Sequence, residues 1–236
     1  MTASSAPSHT ADAGERSPAS SPVPPRLRLW LEFVNTDAAA QSPRGDLLRD
    51  FDALVGWLNT QDCLDGERSD GIRRRALLQP AAAAATLVDA RRVRAALRVL
   101  AERGQVTERV RDDAVVEINR VLGRSAGTRR LERHADGGYT RSFVPTGDAF
   151  AGLMIPIVES AAESLASAEL GRVRRCADAR CHRVFVDATK NGLRRWCDMG
   201  TCGNRAKAAR HRAKERPLAL PARNFERIVE RLPERG

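Results

Sequence analysis

The hydrophobic residues of the first 170 positions recur at spacings that predict one strand followed by several helices. Residues 26–36, "RLRLWLEFVNT", alternate apolar and polar side chains, which predicts a strand that stops at Asn35 and Thr36. Residues 46–60, "DLLRDFDALVGWLNT", follow a helical period instead, and Asp46 is the predicted N-cap. The apolar face of this helix carries Leu47, Phe51, Leu54, Val55 and Leu58.

The same patterns predict three more helices and a hairpin. A second helix through residues 86–104 ends at Gly104, a favourable C-cap residue, and Thr107 caps a third. A fourth, over 147–168, is expected to kink at Pro156. Residues 128–144 predict two strands around a turn at 136–138. The apolar faces hold Val110, Ala114, Ile118 and Val121 in the third helix, and Phe150, Leu153, Met154, Ile157, Ala161 and Leu165 in the fourth.

These elements predict an α+β fold. A mostly helical N-terminal domain is expected to pack on a small antiparallel sheet built from the early strand and the hairpin. The apolar fraction of 42% is enough for a buried core. No apolar run approaches the ~18 residues that cross a membrane, and the first 25 residues lack the apolar centre of a secretory signal. We therefore expect a disordered leader and a cytoplasmic protein.

The net charge of +10 is concentrated near the C-terminus. Residues 171–236 contain 18 Lys and Arg against 7 Asp and Glu, whereas the first 170 residues are close to neutral. A local excess of this size favours a polyanionic partner, nucleic acid first and an anionic membrane surface second.

Four of the five cysteines form two equal pairs, C-x4-C and C-x4-C, separated by fifteen residues. Two chelating loops of this kind can supply the four thiolates of a structural zinc site. The intervening segment predicts a β-hairpin in which 183–187 and 193–196 flank a turn at 190–192. Two disulfides or four unrelated thiols are the alternatives, and His182 could replace its neighbour as a ligand. The predicted ligands are Cys176, Cys181, Cys197 and Cys202.

A basic segment follows the last cysteine directly. From 202 to 216 the chain is rich in strong helix formers and contains no proline, with Ala206, Ala209 and Ala213 on one face. Such a helix can track phosphates or enter a major groove. A solvated surface face, or a protein or membrane partner, are the other interpretations. The predicted nucleic-acid contacts are Arg194, Arg195, Arg205, Lys207, Arg210, Arg212, Lys214 and Arg216.

The C-terminal motif resembles the CGNR zinc finger, with Cys202, Gly203, Asn204 and Arg205 as the residues that name it. The pattern also includes "F-x-D" at Phe185 and Asp187, and "RRWC-x-M-x-x-CGNR-x-K" at 194–207. The segments "LRLWLEFVNT" and "DLLRDFDALVGWL" are similar to the ABATE domain that usually precedes this finger. The resemblance implies a treble-clef-like finger with the four cysteines as zinc ligands. It also implies a bacterial, DNA-binding transcription regulator, in some members stress-induced.

The expected organisation is a leader over 1–25, an ABATE-like domain over 26–170, the finger over 171–216 and a C-terminal amphipathic helix over 217–236. That last helix either packs back onto the domain or mediates self-association. No catalytic set is recognisable, so we expect no enzyme. The residues considered for other roles are Asn35, Thr36 and Asp37 (turn or ligand pocket), His134 (surface or packing), Trp30 and Trp57 (core or ligand stacking), and Cys63 (loop thiol or oxidant sensor).

The function that the sequence favours is zinc-dependent transcription regulation through double-stranded DNA. RNA binding by the same charges, or a zinc-stabilised protein-interaction module, are the alternatives. A small-molecule ligand or a homodimer is compatible with either, and no membrane partner is expected.

Overall fold

The structure is a computed structural model that describes residues 25–37, 45–102, 106–124, 127–133, 139–147 and 150–215. The chain divides into two compact units, residues 1–197 and 198–236, and each is described by itself. None of the helices in the described ranges is long and apolar enough to cross a membrane.

The described elements are mostly helical. The helices are α1 (Pro25–Val34), α2 (Phe51–Thr60), α3 (Gly66–Leu78), α4 (Pro80–Ala101), α5 (Glu108–Arg124), α6 (Ile155–Leu165) and α7 (Asn204–Glu215). The strands are β1 (Gly127–Arg133), β2 (Tyr139–Pro145), β3 (Val173–Arg175) and β4 (Val184–Val186). A 3-10 turn over Ala168–Arg172 precedes β3, and a π-helical turn over Met199–Gly203 precedes α7. The α+β class with small antiparallel sheets is confirmed.

The first element is a helix, so the prediction of a strand over 26–36 is wrong. The apolar residues of this segment fit both periods, because they occur in adjacent pairs as well as at alternate positions. The helical spacing buries Trp30, Phe33 and Val34 completely. Packing decides the outcome: α1 lies against α6 and α4, and the Phe33 ring contacts the Trp57 ring with centroids 5.2 Å apart.

The helix predicted to start at Asp46 begins at Phe51 instead. Asp50 is the N-cap, and its carboxylate accepts a hydrogen bond of 2.7 Å from the Ala53 N–H. Asp46 is drawn away by the buried Arg94 of α4, whose Nη1 donates to Asp46 Oδ1 at 2.7 Å. Beyond that start the predicted face is correct, since Leu54, Val55 and Leu58 are buried; Leu47 is exposed.

Two features of the helical part were not predicted. α3 has few apolar residues and gives no clear periodic signal, but Asp65 caps it through the Arg68 N–H at 2.7 Å and Ile72 anchors it in the core. α4 begins at Pro80, earlier than predicted, because proline is favourable in a first turn. It ends at Ala101, before the predicted Gly104, which lies outside the described residues.

The prediction of the third helix is confirmed in α5, where Ala114, Ile118 and Val121 are buried and Val110 is exposed. The Thr107 hydroxyl accepts from the Val110 N–H at 3.5 Å, in the capping role expected of it.

The predicted hairpin is also confirmed, as β1 pairs antiparallel with β2. Gly127 is required at its start, since a Cβ there would lie 2.4 Å from Cζ of Phe143. The predicted turn at 136–138 and His134 lie outside the described residues. The early segment contributes no strand to this sheet, because it forms α1.

The fourth helix is shorter than predicted. α6 starts at Ile155, so Pro156 occupies its first turn and causes no kink inside the helix. The residues before it form turns, in which the Phe150 ring meets the Phe51 ring edge-on at 5.2 Å. All predicted core positions of this segment are buried or packed against the core: Phe150, Leu153, Met154, Ile157, Ala161 and Leu165.

The finger region contains one correction to its predicted hairpin. β4 pairs antiparallel with β3, which lies before it in the chain, and 193–196 form no strand. The side chains of Val173, Val184 and Val186 belong to the same hydrophobic core as the helices. The first half of the finger is therefore built into the N-terminal domain.

Candidate metal centre and basic helix

Four thiols meet at one point of the structure. The Sγ atoms of Cys176, Cys181, Cys197 and Cys202 all lie within 4.8 Å of one another, and those of Cys181 and Cys197 are 3.6 Å apart. A zinc ion with Zn–S bonds of about 2.3 Å would hold tetrahedral sulfurs roughly 3.8 Å apart. All five cysteines are free thiols, so the disulfide alternative is wrong. The four thiols fit one structural zinc ion, and the predicted ligand set is the one that the fold brings together.

Backbone hydrogen bonds shape the first cysteine pair. The Cys176 N–H donates to the Arg183 carbonyl at 2.9 Å, and the Cys181 N–H donates to the Asp178 carbonyl at 2.8 Å, which closes a tight knuckle. His182 does not belong to the thiol cluster, and its Nδ1 lies 3.1 Å from the Arg175 guanidinium.

The charge state of the first thiol is tuned by the same knuckle. Burial acts to raise the pKa of Cys176, but hydrogen bonds from the backbones of Cys197 and Asp178 and from the neighbouring thiols outweigh it and lower the pKa. A thiol with a lowered pKa forms the thiolate that zinc binds.

The chain returns to the knuckle through a turn organised by Asp187. Its completely buried carboxylate accepts from the Thr189 N–H at 3.0 Å, the Thr189 hydroxyl and the Arg194 N–H at 2.8 Å. Burial acts to raise the pKa of Asp187, but these hydrogen bonds lower it. Gly192 adopts a positive φ of 62° in this turn. The Ala177 N–H then donates to the Arg195 carbonyl at 2.8 Å, which joins the two sides of the finger.

Arg194 is bound by the protein itself. Its Nε donates to the Trp196 carbonyl at 2.8 Å, its Nη2 donates to the Cys197 carbonyl, and its guanidinium lies 5.0 Å from the centre of the Phe185 ring. Arg195 is exposed and stacks over Trp196 at 5.2 Å.

The second unit begins at Asp198, which caps the π-helical turn. Its carboxylate accepts from the Thr201 N–H at 2.7 Å and the Thr201 hydroxyl at 2.8 Å. The Asn204 amide donates to the Gly200 carbonyl at 3.0 Å, so the named "CGNR" residues form the start of α7. Cys202 is buried in this turn, and an Arg205 Nη2 lies 3.9 Å from its sulfur.

α7 confirms the predicted basic helix. The side chains of Lys207, Arg210 and Arg212 are exposed, and Arg205 is half-buried. Of the remaining predicted contacts, Arg216 and the side chain of Lys214 lie outside the described residues, as does the C-terminal helix over 217–236.

Two side chains of the N-terminal domain hold the knuckle, and sequence reasoning did not identify this role. The Asn35 carboxamide donates to the Val184 carbonyl at 2.9 Å and accepts from the Val184 N–H at 2.9 Å. Arg98 of α4 donates to the His182 carbonyl at 2.8 Å, and it also binds Asp37 and the Val34 carbonyl. The signal available in the sequence was the run of polar residues directly after an apolar segment, which we interpreted as a turn or a ligand pocket.

Four further residues named in the sequence analysis lie outside the thiol cluster: Trp30, Thr36, Trp57 and Cys63. Trp30 is completely buried and Trp57 is half-buried, so both are core residues as predicted. Thr36 is buried and accepts from Arg94 at 2.9 Å. Burial, followed by the nearby charge of Asp62, raises the pKa of Cys63 to about 12, so this thiol stays protonated at neutral pH.

Comparison with known proteins agrees with this geometry. The profile of the ABATE family, described as "Putative stress-induced transcription regulator", matches residues 27–168, and that of the CGNR zinc finger matches residues 172–215. No curated protein matches the chain at a significant level. The chain belongs to the ABATE family and carries a CGNR zinc finger whose four cysteines form one structural zinc site.

Proposed function

We propose that this protein is a transcription regulator that binds double-stranded DNA through α7, and that it has no catalytic role. The observation that carries the proposal is the positive charge exposed along this helix. Lys207, Arg210 and Arg212 are exposed, and no salt bridge joins them to a residue whose side chain the structure describes, a set that stops before Lys214 and Glu215. Charges of this kind bind phosphates and release counterions from DNA.

The dimensions of α7 suit a DNA groove. Twelve residues give a helix about 18 Å long, and the major groove of B-DNA is about 12 Å wide. Arg205 and Arg212 lie seven positions apart on one side of the helix, while Lys207 and Arg210 lie three apart on the other. The two rows can contact the backbones on either side of a groove.

A metal is needed because α7 would not persist alone. Short helices with many like charges are marginal in water, since nucleation is costly and the charges repel. Cys202 lies in the turn that leads into α7, so a zinc ion bound there fixes the beginning of the helix. The Asp198 cap stabilises the same turn.

Not every predicted contact fits this role equally. The Arg194 guanidinium is committed to the Trp196 and Cys197 carbonyls, so we propose that it positions the third zinc ligand. Arg195, together with the basic residues of α7, forms the proposed contact set. Lys214 and Arg216 remain predicted members of it.

Duplex DNA is favoured over single-stranded RNA by the aromatic residues of the finger. Proteins that read unpaired bases stack them on open aromatic faces. The rings of Phe185 and Trp196 instead lie against the guanidinium groups of Arg194 and Arg195. A regulator of this kind acts in the cytoplasm, at the nucleoid.

The test is the salt dependence of binding to the DNA upstream of the protein's own gene, compared with scrambled duplex and with RNA of the same sequence. The variant K207Q/R210Q/R212Q removes three exposed charges of α7. The control R74Q/R75Q/R109Q removes three exposed charges from α3 and α5. Circular dichroism and zinc content confirm that both variants are folded.

We expect wild type and control to bind the upstream DNA about 1,000-fold more tightly than scrambled duplex at physiological salt. The α7 variant should lose this affinity, with the slope of log K against log salt smaller by about 3. Equal affinity for all three nucleic acids would show a general polyanion contact. Tighter binding to RNA would support the RNA-binding alternative, and no binding would leave protein interaction as the role of the finger.

A further inference from the structure

Helices α4 and α5 and the turn before α6 line a half-open cavity of about 320 Å³ in the N-terminal domain. It shares no residue with the metal centre or with α7. The cavity volume lies at the lower end of the range of roughly 300–1,000 Å³ that is typical of small-molecule sites. The residues that line it are Ala82, Ala85, Thr86, Asp89, Arg120, Val121, Arg124, Phe150, Ala151 and Met154.

One side of the cavity is apolar and firmly held. Phe150 and Met154 are almost completely buried, and the Phe150 ring packs edge-on against Phe51 at 5.2 Å. The small side chains of Ala82 and Ala85 of α4 also line the cavity. A lining of this kind can accommodate a flat or compact apolar group.

The polar groups of the cavity differ in what they offer a ligand. Arg120 is engaged, because it binds Asp89 at 3.1 Å and Glu117 at 2.7 Å. The Thr86 hydroxyl is also engaged, since it donates to the Ala82 carbonyl at 2.8 Å. Arg124 is exposed and feels the charge of Glu117, but it forms no hydrogen bond or ion pair with another residue of the described part of the chain.

The charged side chains that line the cavity therefore have a net charge of +1. Arg120 and Arg124 are positive and Asp89 is negative, and the positive group that remains available is the Arg124 guanidinium. A guanidinium binds a carboxylate through two parallel hydrogen bonds, which gives both strength and orientation. A cavity lined by apolar side chains and by one available guanidinium complements an amphipathic monoanion.

We propose that this cavity is a binding site for a small amphipathic carboxylate, whose apolar body lies against Phe150 and Met154 and whose carboxylate binds Arg124. The proposal does not depend on DNA binding. A ligand in this cavity would contact α4, which lines the cavity through Ala82 and Ala85. The same helix carries Arg98, the residue that binds the His182 carbonyl.

The test measures binding to the full-length, zinc-loaded protein by isothermal titration calorimetry. The probes are 2-naphthoate and 2-naphthalenemethanol, which share the apolar body and differ in the charged group. The variant Arg124→Gln removes the guanidinium. Arg109→Gln is the matched control, because it removes an exposed arginine from the same helix, α5, outside the cavity.

We expect wild type and R109Q to bind 2-naphthoate at least tenfold more tightly than the alcohol, and R124Q to bind both probes equally. A second variant, Ala85→Phe, covers the cavity. Because Ala85 is exposed, the larger ring does not disturb the core, and binding of both probes should be lost with zinc content unchanged. Absence of binding to wild type at millimolar probe would overturn the proposal, as would a preference for naphthoate that persists in R124Q.

Discussion

Asn35 and Val184 lie 149 positions apart in sequence, and the Asn35 carboxamide both donates to and accepts from the Val184 backbone, each bond being 2.9 Å long. Asn35 directly follows α1 of the N-terminal domain, and Val184 opens β4 between the two cysteine pairs. Both groups are buried. The N-terminal domain and the knuckle of the finger are therefore one folded unit up to Cys197.

The first prediction concerns this pair. Asn35→Ala leaves the N–H and carbonyl of Val184 buried without partners, and each unsatisfied group costs about 1–3 kcal/mol. We expect the free energy of unfolding to fall by roughly 2–6 kcal/mol, and zinc to be released faster to a chelator, as measured by chemical denaturation and by a colorimetric zinc assay.

Asn119→Ala is the control for that experiment, because Asn119 is an exposed asparagine of α5. It should leave both readouts unchanged. If N35A were as stable as wild type and released zinc at the same rate, the hydrogen bonds between Asn35 and Val184 would contribute neither to stability nor to zinc retention.

The second prediction is that the hydrophobic core stays folded when the zinc ion is lost. Cys197→Ser should lose the zinc ion, because three thiolates remain where four are needed. Amide protons of α7 should then exchange rapidly, whereas those of α1, α4 and α6 stay protected, since Val173, Val184 and Val186 are held by the hydrophobic core. Hydrogen exchange with mass spectrometry reports both regions at once.

Cys63→Ser provides the comparison, since Cys63 lies outside the thiol cluster and should keep full zinc content. Full zinc stoichiometry in C197S would contradict the four-thiolate site. Loss of protection in α4 of C197S would show that the core itself depends on the metal.

The third prediction distinguishes two adjacent arginines. Arg194→Gln should accelerate zinc release, because the guanidinium that donates to the Cys197 carbonyl is lost. Arg195→Gln should leave zinc release unchanged, since the Arg195 side chain lies over Trp196 and is exposed. The rate of zinc transfer to a chelator measures both effects, and equal rates in the two variants would argue against a positioning role for Arg194.

The fourth prediction is a pH dependence. The hydrogen bond from Arg94 is the main cause that lowers the pKa of Asp46 below its ordinary value of 3.8. A lowered pKa in the folded state stabilises the protein above that ordinary value, and the contribution is lost as the pH falls through the lowered pKa. Asp46→Asn should therefore be less stable than wild type at neutral pH, and the difference should shrink below about pH 4.

Denaturation at several pH values measures this difference, and any loss of zinc in acid affects both proteins alike. Asp113→Asn, at an exposed position of α5, should show no such trend. A stability difference between D46N and wild type that stays constant from pH 7 to pH 3 would refute the role given to the Arg94–Asp46 pair.

Local signals in the sequence were sufficient for several parts of the fold. The Thr107 cap and the spacing of Ala114, Ile118 and Val121 predicted α5, and the equal spacing of the cysteine pairs predicted the thiol cluster. These predictions succeed because each depends on residues close together in the chain or on a chemistry with few alternatives.

The remaining parts depend on partners distant in sequence. The segment around Trp30 fits a strand or a helix by period, and packing of α1 on α4 and α6 selects the helix. The start of α2 moves because Arg94 captures Asp46. β4 pairs with β3 because Asp187 bends the chain directly after it. No segment of a few consecutive residues includes both partners of these contacts, so local patterns could not predict them.

The side chain of Asn35 also affects how the protein behaves in a crowded cell. A two-stranded sheet leaves backbone groups at its edges that can pair with strands of other chains. At Val184 both of these groups are already occupied by the carboxamide. A side chain thus takes the place of a third strand, and β4 offers no template for aggregation at this position.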